Sequence, residues 1–362
     1  MALDGVRVIK VEQPGVGDPN RDNMSFAQDN RGQRSVTIDL HNEAGKALFR
    51  RLCDTADVLV ENFRPGTLEK WGLAPDSLRE TNPGLVVVRI SGYGQTGPYR
   101  DRAAFDRVAL AFAGLTYVTG YPDRPPVRPG YFIADYGAGI YAAFGAVTAL
   151  HARRVTGRGQ DVDVALYEAV WRMSGTHAGG YSQSGVPRER SGNFFPGVVP
   201  AEQFTTVDGH FLVVNCTTQR AFTRLCTAIG QPELASDPRF TPRRNLMLNH
   251  GAIHAILGVW VAERTLEECQ AVFDEAGVPA SRVYSTADIV ADPHYAAREQ
   301  VLAVESPSFG SVLQPGVVPR LTETPGSVRR PAPQLGEHNA EVFGELGLPD
   351  DELAALREQG VV

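Results

Sequence analysis

The sequence predicts an α/β protein in which a parallel sheet flanked by helices is followed by a second, smaller α+β domain. Three observations carry this reading. Over the first 90 residues short apolar segments alternate with helical patterns, the order that builds parallel β-α-β units. Residues 85–90, Leu-Val-Val-Val-Arg-Ile, are apolar in all but one position, as a strand covered on both faces must be. After Trp171 the texture changes to a Gly-, Pro- and Ser-rich stretch and then to a hairpin followed by helices.

Taken in order, residues 6–11 alternate as a strand and stop at a Pro14-Gly15 turn, and residues 17–34 are polar and irregular. Residues 35–40 form a second strand. Asn42 opens a helix through Cys53, with Ala44, Leu48 and Leu52 on one face. Residues 58–60 are a third strand, residues 62–66 a turn, and Thr67 to Trp71 the start of another helix. In such sheets ligands sit beyond the carboxyl ends of the strands, so loops 61–66 and 91–102 form the expected binding edge. The chain has neither GxGxxG nor GxxxxGK[ST], which argues against the usual dinucleotide and nucleoside-triphosphate sites.

Residues 126–168 concentrate the chemistry. Pro126, Pro129 and Gly130 punctuate a loop, and residues 136–152 carry apolar and small side chains at helical spacing. Asp135 stands at the joint. Position alone makes it a helix N-cap, whose carboxylate accepts the unpaired amides of the first turn. Gly137 and Gly139 argue for more, because each costs about 1 kcal/mol relative to Ala in a helix. Small residues there let something large approach the backbone, so Asp135 reads as a ligand-facing carboxylate first and a cap second. A turn at residues 156–160 leads to a strand at 161–166.

Residues 179–200 read as a loop-like linker. Residues 204–214 form a hairpin around Asp208-Gly209, helices follow at 220–229, 249–262 and 266–276, and residues 277–284 return to extended chain. The tail from Gly336 is helical at its end.

Composition narrows the function. A net charge of −7 with 21% charged residues argues against nucleic acid as the partner, and 43% hydrophobic residues supply a sizeable core. The longest apolar run, 136–152, is too short and too glycine-rich to span a bilayer, and the N-terminus lacks the pattern of a signal peptide, so no membrane partner is expected. Cys53, Cys216, Cys226 and Cys269 are scattered without CxxC pairing, as in a cytoplasmic protein, and neither they nor the eight histidines have metal-ligand spacing; no metal site is expected.

The run IADYGAGIYAAFGAVTALHARRVTGRGQDVDVALYEA resembles the central signature of the class III CoA-transferase family, also called CaiB/BaiF. The resemblance extends over nearly the whole chain through VIKVEQPGVGDPNR, NRGQRSVTIDL, VLVENFRPGTLEKWGL, ISGYGQTGPYRDRAAFD, AGVPASRV and LGEHNAEV. It implies a large Rossmann-like domain, residues 1–185 with 325–362 packing back on it, a small domain at 195–320, and an interlocked homodimer. It also implies transfer of CoA between an acyl-CoA and a small carboxylic acid, with Asp135 as nucleophile, CoA as substrate and no tightly bound cofactor. For CoA contacts it carries over Ile38, Asp39, Leu40, His41, Asn62, Phe63, Arg64, Lys70, Ala103, Ala104, Phe105 and Asp106. Arg64 and Lys70 are the phosphate partners expected from charge and position; Asp39 and Asp106 can contact CoA only through backbone or adenine-edge hydrogen bonds.

In the α-methylacyl-CoA racemases of the same family a His at the position of Phe105 pairs with the aspartate and a Glu of the second domain matches about Thr218, and neither Phe105 nor Thr218 moves a proton. The glycine-rich quartet of formyl-CoA:oxalate transferases has no counterpart around 191–200. Family members also carry a strand and helix before the VIKVE strand, where this chain has only residues 1–6, which raises the alternative of a CoA-binding pseudoenzyme. Arg128, Arg243 and Arg244 could bind a second carboxylate and hint at a dicarboxylate.

Overall fold

A computed structural model describes residues 2–362, and Met1 lies outside it. The chain divides into two compact units. The first runs to Ala113 and continues through Gly130–Gly175 and Val290–Val362; the second comprises Gly114–Pro129 and Thr176–Ile289.

In the first unit the parallel strands fall into two sheets. β1 (Ile9–Glu12) pairs with β2 (Arg34–Thr37), Val11 opposite Val36. β3 (Val58–Glu61), β4 (Val86–Ser91) and β5 (Asp161–Ala165) form the other, with Glu61 opposite Arg89 and Arg89 opposite Asp163. Val86, Val87 and Val88 are fully buried, as the apolar run requires. One core joins Val36, Leu48, Leu52 and Leu85 to Val342, Phe343 and Leu353 from the tail. Backbone and side-chain bonds fasten the same tail: Asn339 Oδ1 accepts from Thr37 N at 2.8 Å, and Asp39 N donates to Val361 O at 2.8 Å.

The first unit begins its return at Val290, where the sequence reading kept the small domain running to residue 320. The reason is the hairpin of β9 (Val301–Ser306) and β10 (Gly310–Pro315), whose end accepts Arg31 Nη1 at Pro315 O, 2.8 Å. Conversely, Gly114–Pro129 clusters with the second unit, tied by Gly192 N to Gly120 O (2.9 Å) and Tyr117 OH to Glu189 Oε1 (2.7 Å).

The long helix of the first unit, which we label αL, covers Ile133–Thr156 and ends at Gly157, whose φ of 71° is the left-handed conformation that glycine tolerates. Ala134, Ala138, Ala142, Ala146 and Ala149 are buried, and the last four make a stripe that packs with Val86, Val88 and Val164. Small side chains are needed for this approach: a Cβ at Gly145 would lie 2.5 Å from Val162 Cγ1. By length and composition alone this helix could cross a bilayer, its most apolar 18 residues having a mean hydropathy of 1.3, yet its alanine stripe is packed on the sheet, as in a core helix. The opposite face leaves Tyr136, Ile140, Phe144 and Val147 exposed.

The second unit holds an antiparallel sheet, β6 (Ala201–Thr205), β7 (Phe211–Asn215) and β8 (Ala280–Arg282). Asp208 and Gly209 make the expected turn, with Thr206 N bonded to His210 O at 2.9 Å. Helices at Gln219–Ala228, His250–Ala262 and Leu266–Ala276 bury Phe222, Leu225, Leu257 and Phe273 against this sheet. Thr265 and Glu268 form a capping box at the last of them. The linker expected at 179–200 is corrected in part, since His177–Ser184 is helical; it buries no side chain and so carries no apolar period to read.

Candidate active site

Asp135 lies in the first turn of αL rather than at its cap, because the helix begins at Ile133 and Phe132 is the N-cap. The carboxylate that serves the helix start comes from elsewhere. Asp106, 4% exposed, opens a helix at Asp106–Phe112 and accepts Ala134 N at 2.9 Å through Oδ1. Its Oδ2 is buried without a hydrogen-bond partner. Asp135 itself is exposed at the surface of the chain. Partial enclosure by protein atoms pushes its carboxyl up, and the neighbouring Asp106 charge pushes it further in the same direction. A carboxylate held above its ordinary range is more basic and a better nucleophile.

Around this residue the two glycines behave differently. A Cβ at Gly137 would meet Met173 Cε at 3.0 Å, so that glycine serves internal packing, whereas Gly139 faces open space. Tyr136 reaches back through its hydroxyl to the Asp29 carboxylate at 3.3 Å.

The residues at the sheet edge divide by side-chain environment. Ile38 is buried and Leu40 packs against the same core, so their side chains are structural. Asp39 Oδ1 accepts His41 N at 2.9 Å, and a Cβ at Gly45 would strike the Asp39 carbonyl, so the helix at Glu43–Asp54 is seated directly on this loop. His41 and Phe63 are brought together around Trp71, both edge-on, at 5.2 and 5.0 Å. Trp71, which the sequence marks only as the end of the ENFRPGTLEKW run, also packs against the core, so it is the support on which these two rings rest. Asn62, Arg64 and Lys70 are exposed. Ala103 is exposed and Ala104 half-buried; a Cβ at Gly92 would lie 2.5 Å from the Ala104 Cβ, so this loop rests on the end of β4. Phe105 is 82% exposed, while Asp106 is committed to the start of αL.

In the second unit, Thr218 Oγ1 accepts Ala221 N at 3.2 Å and caps the helix Gln219–Ala228. Arg243 bonds Val199 O at 3.4 Å, and Arg244 is exposed.

Comparison with known proteins gives these residues a context. Residues 1–339 match the model of CoA-transferase family III. The chain is 42% identical over 368 residues to succinyl-CoA–D-citramalate CoA-transferase of Chloroflexus aurantiacus, covering 99% of this chain and 92% of that one. It is 40% identical over 375 residues to the succinyl-CoA–L-malate CoA-transferase beta subunit of the same organism, again covering 99% and 92%. Among solved structures it resembles a CaiB/BaiF family protein from Brucella suis at 33% identity and a TM-score of 0.81, over 94% of this chain and 92% of that one. The chain therefore belongs to CoA-transferase family III, the CaiB/BaiF type, and is a CoA-transferase with CoA as a substrate.

Proposed function

We propose that this enzyme moves CoA from succinyl-CoA to a small dicarboxylic acid, with Asp135 as the covalent nucleophile. The observation that carries the reading is the exposed, pKa-raised carboxyl of Asp135 in the first turn of αL, beside the buried Asp106. The Asp135 carboxylate attacks the thioester carbonyl; a C–O bond forms, the C–S bond breaks, and CoA leaves as its thiolate, giving a mixed anhydride. The thiolate then attacks the aspartyl carbonyl and expels succinate, leaving an aspartyl-CoA thioester. The acceptor carboxylate attacks that thioester, the thiolate departs again, and its attack on the acceptor's acyl carbon releases the new acyl-CoA and restores Asp135. Charge balances at each step without proton transfer.

The donor and acceptor classes rest on the citramalate and malate transferases, both named for succinyl-CoA. His41, Asn62, Phe63, Arg64, Lys70 and the loop at Ala103–Phe105 form the CoA face in this reading, with exposed Arg64 and Lys70 turned to its phosphates. Phe105 has no titratable group and the Thr218 hydroxyl is spent on a helix cap, which counts against a racemase. The exposed stripe Tyr136, Ile140, Phe144 and Val147 supports a homodimer in which a second copy covers αL; sedimentation at the monomer mass would remove that part. Four buried free cysteines support a reducing, cytoplasmic setting.

Mass spectrometry after mixing the protein with succinyl-CoA and hydroxylamine tests the mechanism, because hydroxylamine converts an activated aspartyl carbonyl to a hydroxamate. The adduct is expected on the peptide holding Asp135. Turnover of succinyl-CoA with malate or citramalate while Asp135 stays unmodified would overturn the covalent route.

A further inference from the structure

A charge stands in the middle of the most apolar strand of the protein. Arg89 is buried in β4, and in the parallel register its partner on β3 is Glu61, also buried. Arg89 Nε donates to Glu61 Oε1 at 2.8 Å, and the other carboxylate oxygen, Oε2, accepts the backbone N–H of Phe63 at 2.7 Å. The far edge of the guanidinium forks onto Glu69, in the short helix Thr67–Lys70: Nη1 to Oε1 at 2.8 Å and Nη2 to Oε2 at 3.2 Å. One side chain thus fastens the chain on both sides of Asn62-Phe63-Arg64, while those three residues are themselves exposed.

Such a buried pair adds little net stability, because the desolvation of both ions offsets their attraction. Apolar side chains of similar volume would fill the space as well. What they could not do is hold the Phe63 amide and Glu69 at a fixed separation, a task suited to a planar guanidinium with donors on two edges. We propose that Arg89 is a positioning residue for acyl-CoA: through Glu61 and Glu69 it presets the loop Asn62-Phe63-Arg64 in its binding conformation without touching the ligand. The inference rests on the reading that this loop faces CoA. Preorganising the loop lowers the ordering cost of binding, so its loss acts on affinity rather than on the bond-making step at Asp135.

The test uses Arg89→Met, Arg89→Lys and Arg64→Ala in the full chain, with CoA binding by calorimetry and steady-state kinetics with succinyl-CoA. Arg89→Met is expected to weaken CoA binding about tenfold and raise KM in step, with kcat held within about threefold. The Phe63 amide should exchange faster with solvent in the same variant. Arg89→Lys, which keeps the charge but loses the fork, is expected to fall between the two and carries the test alone if Arg89→Met does not fold. CoA affinity within about twofold of the parent in the folded Arg89 variants, with Arg64→Ala impaired, overturns the positioning role and leaves the loop reading standing. Unchanged affinity in all three variants overturns both.

Discussion

Glu61 and Asp106 are both buried carboxylates at the carboxyl edge of the first unit, and they are treated in opposite ways. Glu61 has both oxygens engaged, one by Arg89 and one by the Phe63 amide. Asp106 has one oxygen on Ala134 N, the other without a partner, and a second carboxyl, Asp135, as its charged neighbour. Burial pushes Glu61 up and Arg89 opposes that shift; at Asp135 partial enclosure and Asp106 push the same way. The first arrangement fixes a shape and the second leaves electrostatic strain on the carboxyl we propose as nucleophile, which separates the proposed binding edge from the proposed chemical centre.

The comparison breaks most severely at Asp135. Asp135→Asn keeps size and removes the proposed nucleophile, so transfer should fall by about 10³-fold or more, read as acyl-CoA product formed per unit time. Stability should move the other way. A carboxyl whose folded pKa is raised destabilises the fold at pH above that value, and the penalty fades as pH falls through it. Asp135→Asn should therefore melt at or above the parent temperature near neutral pH and no higher than the parent in acid. Asp106→Asn separates the two duties of Asp106, since asparagine still accepts the Ala134 amide but carries no charge. The acid limb of the kcat/KM profile should move to lower pH, because Asp135 loses the neighbour that raises it. An unmoved limb would mean that Asp106 acts only as a cap.

How far these features were legible follows from their range in the sequence. β4 was readable because a buried parallel strand is apolar throughout, and its lone Arg89 was itself a signal, since a charge in such a strand requires a partner. Asp135 is legible as a residue at a helix start, but the secondary cap role that its position suggests does not fall to it. The cap carboxylate comes from Asp106, 28 residues earlier, and no local pattern encodes that pairing. αL extends beyond the expected 136–152 at both ends because periodicity fades where caps and a left-handed glycine take over. The helix at His177–Ser184 has no buried face, so nothing in its apolar spacing could announce it. The domain boundary at Val290 depends on where the Val301–Pro315 hairpin docks, and alternation predicts strands without their destination.

The smallest effect belongs to the outer end of the Arg89 clasp. Glu69 shares the guanidinium with Glu61, yet 40% of its side chain is exposed against 3% for Glu61. Water already screens its charge, so Glu69→Gln should cost no more than about 1 kcal/mol of stability. Arg89 still has Glu61, the Phe63 amide keeps its acceptor, and only the anchor beyond the loop is loosened. CoA affinity should then fall by only about twofold, well short of the loss at Arg89, with the deficit shrinking in high salt as the remaining exposed charges are screened. A Glu69→Gln defect as large as that of Arg89→Met would shift the clasp's weight from the buried Glu61 bridge to the exposed fork. The contrast would then lie between the two ends of the guanidinium rather than between Glu61 and Asp106.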